Sequence, residues 1–258
     1  MQNYLNKFCA GGKYCTVAQY YLADSYYRTD DKVNAMKAYQ NLLKIEGNQY
    51  VEEATIRCAG IAYDQKDYAT SLNYFKQLQT VAQSTENKNV SRLGVLRCSY
   101  FLNDYQTTIT IVNDIMADAH SSDDLKSEAL YNRAKAYLAL KQTTEAAADL
   151  KVLAAETRTA TGAESKYLLA NLYYEQGKLT EAETEVLDFA KKNTAHQFWL
   201  ARSFVLLADV YIKQNNDFQA KQYLLSLQKN YKTADEIQTL ITERLTAISE
   251  REKNTIIN

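Results

Sequence analysis

The sequence predicts an all-α protein, a right-handed solenoid of helix-turn-helix units. Three observations carry this: rows of residues recurring about every 37 positions, helical spacing inside every unit with no competing β-branched alternation, and a scarcity of the proline and glycine that a turn-dense β-sandwich needs. Of 258 residues none is proline and 7 are glycine, where average usage would give about 13 and about 18.

The first row is Ala23, Ala59, Leu96, Ala134, Ala170 and Ala208, with steps of 36, 37, 38, 36 and 38 residues. Twelve residues further on come Ala35, Ser71, Thr108, Ala146, Ala182 and Ala220. Four beyond these lie Tyr39, Phe75, Val112, Leu150, Val186 and Leu224, and three later Leu42, Leu78, Ile115, Leu153, Phe189 and Leu227. Offsets of four and seven from the second row place large apolar residues on one helix face. Two helices joined by a tight turn must cross closely, so the facing side chains are small and the large ones fill the space between units.

Within each unit a short polar breaker separates the two helices. In order these are Thr29-Asp30-Asp31, Lys66-Asp67, Asn103-Asp104, Gln142-Thr143, Gln176-Gly177-Lys178 and Asn215-Asn216-Asp217. Asp31, Asp67 and Asp104 are placed to accept from the free amides of the second helix. Thr180-Glu181-Ala182-Glu183 reads as a capping box. The segments Ala82–Asn89 and Glu156–Gly162 read as exposed loops between units. After the last unit, Ile237, Leu240, Ile241, Leu245 and Ile248 form an apolar stripe on a charged helix, which suits a cap on the array. The expected organisation is residues 1–15 as the end of a preceding repeat with a linker, 16–233 as six helix pairs, and 234–258 as the capping helix and tail.

Composition removes several function classes. There is neither GxGxxG nor GxxxxGK[ST], so the usual glycine-rich phosphate loops are missing. With 30 basic and 31 acidic residues, bulk charge does not draw the chain to nucleic acid. No stretch reaches the ~18 apolar residues of a membrane span. Met1–Phe8 lacks the basic and apolar regions of a signal peptide, so the chain reads as soluble. Cys9, Cys15, Cys58 and Cys98 show no metal-ligand spacing, and no cofactor is expected. Cys9 and Cys15 are either a bridge formed in an oxidising compartment or two small side chains at a helix start. Cys58 and Cys98 fall in apolar helical stretches and are expected as buried thiols. His120 lies in a polar loop and His196 beside the next helix, which leaves no material for a histidine-based triad. Glu52-Glu53 and Asp123-Asp124 suit the dipole at helix starts better than acid/base catalysis. The chain reads as a non-enzyme.

The segments Tyr20-Tyr21-Leu22-Ala23-Asp24-Ser25-Tyr26-Tyr27, with Ala35 and Tyr39, and Leu168–Ala182 resemble tetratricopeptide repeats. The resemblance covers about residues 16–230. It departs from the family in its longer period, its lack of a closing proline, and Leu96 at a small-residue position. Tyr4–Gly12 resembles the linker of long bacterial cell-envelope members, with Cys9 in the place of a proline. The resemblance implies a protein-interaction scaffold that holds a partner segment in a concave groove lined by the first helices. By the same analogy the parent protein is periplasmic or in the cell envelope. The alternatives are a regulatory module of a larger cytoplasmic signalling protein and a self-associating structural spacer.

If the first helices line a groove, the residues four after the first row face it: Tyr27, Tyr63, Tyr100, Leu138, Tyr174 and Ile212. Three before that row come Tyr20, Ile56, Leu93, Tyr131, Tyr167 and Val205. One after it stand Asp24, Gly60, Arg97, Lys135, Asn171 and Asp209. Tyrosine offers contact area and a hydroxyl at small entropy cost. The candidate partner-binding residues are therefore Tyr20, Asp24, Tyr27, Tyr63, Arg97, Tyr100, Tyr131, Lys135, Tyr167, Asn171 and Tyr174. The competing assignment for each tyrosine is packing between helices. Arg57, Arg97, Arg133 and Arg202 suit acidic partner groups or ordinary surface ion pairs. Family members that hold the acidic tail of heat-shock chaperones need lysines where this chain has Tyr20, Ile56, Leu93, Tyr131, Tyr167 and Val205, so that clamp is missing. The expected partner is a protein or peptide, with no nucleic acid and no membrane span, and the chain is expected as a monomer or weakly self-associating.

Overall fold

The structure, a computed structural model, describes residues 14–257, and side chains to residue 254. The suggested Cys9–Cys15 bridge and the linker at Tyr4–Gly12 fall outside the described residues. All regular structure among those described is helical, in thirteen helices. The chain divides into two compact units, residues up to Ala136 and from Tyr137 onward.

The first unit holds α1 (Cys15–Arg28), α2 (Lys32–Leu43), α3 (Val51–Asp64), α4 (Tyr68–Val81), α5 (Thr85–Phe101), α6 (Tyr105–Ala117) and most of α7 (Asp123–Ala139). Here α1 packs on α2, α3 on α4 and α5 on α6, while α2 meets α3, α4 meets α5, and α3 also touches α5. The second unit holds α8 (Thr143–Leu153), α9 (Ala160–Glu175), α10 (Leu179–Lys191), α11 (Gln197–Lys213), α12 (Asp217–Asn230) and α13 (Glu236–Ile257). It repeats the pattern: α9 packs on α10, α11 on α12, and α9 touches α11.

Small residues sit where antiparallel helices cross. Ala23, Ala35, Ala59, Ser71, Ala170, Ala182, Ala208 and Ala220 are all buried. The Ser71 hydroxyl donates to the Ala59 carbonyl across the α3–α4 crossing at 2.9 Å. Leu96 is buried with Val112, Ile115 and Ala129, so the third unit replaces a small residue by a packed leucine.

Every turn between paired helices uses one device. Asp30, Lys66, Asn103, Lys141, Gly177 and Asn215 have φ between 59° and 74°, the left-handed region. Each lies seven residues beyond the first row. Three residues past the last helical residue, an amide reaches back five positions, as in Asp67 N–H to the Ala62 carbonyl at 2.9 Å and Lys178 N–H to the Tyr173 carbonyl at 2.9 Å. This is a Schellman closure, in which the left-handed residue satisfies the free carbonyls of the helix end. Asp31, Asp67 and Asp104 then cap the second helices by accepting from Asn34, Thr70 and Thr107 amides, each at 3.1 Å.

Two sequence expectations need correction. The capping box at Thr180 does not form, because the turn at Gly177 starts α10 at Leu179 with Lys178 in the capping position. Thr180 is already inside the helix. The expected loops 82–89 and 156–162 are also shorter. Ser84 accepts from the Asn87 amide at 3.0 Å and starts α5 at Thr85, and Thr159 accepts from the Gly162 amide at 3.0 Å and starts α9 at Ala160. The Ser and Thr that mark loops in the sequence are helix caps here.

In the second unit Ile237, Ile241 and Ile248 of α13 are buried against Ala201, Val205, Ala208 and Leu224 of α11 and α12. Arg244 holds Asp209 with two hydrogen bonds, 2.8 and 2.9 Å, on the same face.

Candidate functional site

The helical period places the candidate residues on the first helices. In the first unit α1 carries Tyr20, Asp24 and Tyr27, α3 carries Tyr63, α5 carries Arg97 and Tyr100, and α7 carries Tyr131 and Lys135. All are partly exposed.

At the α1 end the Tyr20 ring stacks on Tyr50, with centroids 4.1 Å apart and planes at 7°. Burial, then the neighbouring Glu53 carboxylate, pushes the Tyr20 hydroxyl above its ordinary pKa. Asp24 is taken up by Arg28 one turn on, at 2.6 Å. Tyr27 lies under two cations, Lys32 Nζ at 3.8 Å and the Arg57 guanidinium at 4.6 Å from its ring centre. Arg57 also pairs with Glu53 at 2.7 Å. These contacts favour packing over partner contact at this end.

Between α3 and α7 the arrangement is more open. Tyr63 meets Tyr68 and Phe101 edge-on, and Tyr68 stacks on Phe101 at 4.5 Å. Phe101 remains 47% exposed. Burial raises the Tyr63 hydroxyl pKa, against the pull of the Arg97 charge. Arg97 makes a two-pronged bond to Glu128, 2.5 and 2.8 Å, joining α5 to α7. Lys135 lies over both Tyr100 and Tyr131, at 5.2 and 5.0 Å from their centres. A recess of about 280 Å³ opens among Gly60, Tyr63, Phe75, Leu93 and Arg97.

In the second unit Tyr167, Asn171 and Tyr174 follow one face of α9. Tyr167 stacks near Trp199 at 5.6 Å, with Arg202 5.2 Å from its ring centre. Arg202 is in turn paired with Glu236. Asn171 donates to Glu175 at 2.8 Å. Tyr174 has Lys213 at 4.8 Å over its ring, and its hydroxyl pKa is raised by burial and then by Asp209.

The arginines thus have local partners: Glu53 for Arg57, Glu128 for Arg97, Asn113 for Arg133 and Glu236 for Arg202. Glu128, Trp199 and Lys213 were not singled out in the sequence, since each meets its partner from more than thirty positions away and no local pattern marks such pairs. Gly60 gave a weak signal, as the one residue without a side chain in an otherwise polar row.

His120 sits in the turn before α7, and the His196 ring nitrogen lies 3.0 Å from the Arg158 carbonyl. Cys58 and Cys98 are free and buried, and burial pushes the Cys58 thiol up to about 12. Among the described residues no group of three or more His, Cys, Asp or Glu is placed to hold a metal ion, and no helix is long and apolar enough to cross a membrane.

Comparison with known proteins agrees with this architecture. The tetratricopeptide repeat family pattern matches residues 17–46, 128–156 and 198–234. No curated protein matches the sequence. Among solved structures, PilW, a widely conserved type IV pilus biogenesis factor, is similar at 21% identity and TM-score 0.55, over 88% of this chain and 98% of that one. BtubC from P. vanneervenii is similar at 14% identity and TM-score 0.56, over 84% and 95%. The assembly chaperone of RpL4, Acl4, is similar at 13% identity and TM-score 0.54, over 93% and 99%. At these identities the likeness is one of fold.

Proposed function

This chain is a tetratricopeptide repeat protein, and on that premise we propose that it is a non-catalytic scaffold holding a partner protein segment against the first-helix face. The observation that carries the reading is the α3–α7 stretch of the first unit. There Tyr63, Arg97, Tyr100 and Lys135 share one partly exposed face beside a recess. Such a surface mixes aromatic area with fixed charges, the composition that interface centres favour. The proposed organisation is six helix pairs over residues 16–233, with 234–258 as a cap. The narrower proposal is a place in bacterial cell-envelope assembly, supported by the resemblance of Tyr4–Gly12 to linkers of such proteins.

The test is affinity capture from a source-cell lysate with the wild-type chain and a Tyr63→Ala, Tyr100→Ala, Tyr174→Ala variant, both checked for helicity. A partner retained by wild type and lost by the variant supports the reading, and its identity tests the compartment. An unchanged set, or no enriched protein, overturns it and assigns the tyrosines to packing.

A further inference from the structure

Resting on the scaffold reading above, the face between α3 and α7 also points to the kind of segment it receives. The recess of about 280 Å³ is mainly apolar, lined by Tyr63, Phe75, Val90 and Leu93, with Arg97 as its charged member. Gly60 leaves it open: a Cβ at that position would meet no atom within 4 Å. A second recess, about 460 Å³, adjoins it, since Val90 and Leu93 line both. Its other members include Glu86, Asp124, Glu128 and Leu125, and no basic side chain lines it. Glu128 is neutralised by Arg97. Glu86 and Asp124 are exposed and have no ion-pair partner among the described residues.

We infer that the two recesses together seat a partner protein segment with a bulky apolar side chain next to a lysine or arginine. The apolar side chain enters the recess at Gly60 and is removed from water. The basic side chain lays its aliphatic stem along Val90, Leu93 and Leu125 and presents its charge to Glu86 and Asp124. Arg97, held by Glu128, adds little net repulsion. An acidic segment would bring like charge against Glu86 and Asp124, so the surface discriminates by sign as well as by shape.

The test is selection of short random peptides displayed on phage against the immobilised full chain. Binding of synthetic copies is then followed by fluorescence anisotropy. The variants are Glu86→Lys with Asp124→Lys, which reverses the acidic recess, and Gly60→Leu, which puts a bulky side chain into the apolar one from a position where a Cβ meets no atom within 4 Å. Both must melt as the wild type does. Enriched peptides are expected to pair an apolar residue with Lys or Arg, and to bind about tenfold more weakly to each variant. Their affinity should also fall with added salt. Acidic or uncharged winners, or binding unmoved by both variants, would overturn the inference. If those winners instead lose binding on Tyr174→Ala, the scaffold reading stands and only this seat is wrong. If no peptide is enriched, the seat is refuted, and the lysate capture decides the scaffold reading separately.

Discussion

At the scale of single residues, the positions with the least side chain or the least usual backbone are the informative ones. Lys66 and Lys141 hold φ near 60°, a conformation that costs an L-residue with a long side chain about 1–2 kcal/mol. Gly177 holds the equivalent place without that cost. Lys66→Gly and Lys141→Gly should therefore each raise stability by about 0.5–1 kcal/mol after glycine's own entropy is counted. Gly177→Val should lower it, and urea unfolding of the three variants would show opposite shifts. Gly94 faces Phe75 so closely that a Cβ would overlap the ring. Gly94→Ala should cost about 1–3 kcal/mol through overpacking; a thermal midpoint equal to wild type would refute that placement. The turns at Lys66 and Gly177 are legible as polar breakers, but the left-handed backbone at the lysines and the close approach at Gly94 are not, because neither leaves a mark on a lysine or on a glycine within a helix.

At the scale of elements, ends and crossings carry the fold. The carboxyl groups of Asp31, Asp67 and Asp104 are held below the usual aspartate pKa, chiefly by hydrogen bonds from Asn34, Thr70 and Thr107. A pKa lower in the folded than in the unfolded chain means stability present above pH ~4 and lost as pH falls through the folded value. Denaturant midpoints should thus drop between pH 5 and 3, and less so in a variant with all three changed to asparagine. Asparagine still caps a helix but does not titrate in that range. At the crossings, Ala170 is buried with Val186, Leu206 and Leu207. Ala170→Leu should cost about 1–3 kcal/mol, and Ala134→Leu a similar amount at its own buried site. Unchanged melting of both would discredit the alignment of small residues. The small rows and the three aspartate caps could be read directly, since spacing and residue type suffice for a local hydrogen bond or a close crossing. The capping box at Thr180 could not, because the left-handed turn at Gly177 decides where that helix starts.

For the whole molecule, stability in a chain of packed helix pairs is expected to be nearest-neighbour in character. Ile241→Ala opens a space among Val205, Leu224 and Ile237 and should cost about 2–5 kcal/mol. Hydrogen exchange should then quicken in α11, α12 and α13 while α1 to α4 keep their protection; an equal rise in α1 to α4 would refute local coupling. By itself the sequence determined the all-α class, the repeat register, the tight turns and the aromatic composition of the first helices. These follow from periodicity and local chemistry, which act between residues close along the chain. Only the tertiary structure decided which tyrosines and arginines are already engaged, that Glu128 holds Arg97, and that Gly60 opens a recess beside Glu86 and Asp124, which have no ion-pair partner among the described residues. The pairing of Arg97 with Glu128, of Tyr20 with Tyr50 and of Tyr167 with Trp199 depends on contacts between residues some thirty positions apart, and residue type constrains such contacts only after the helices have packed.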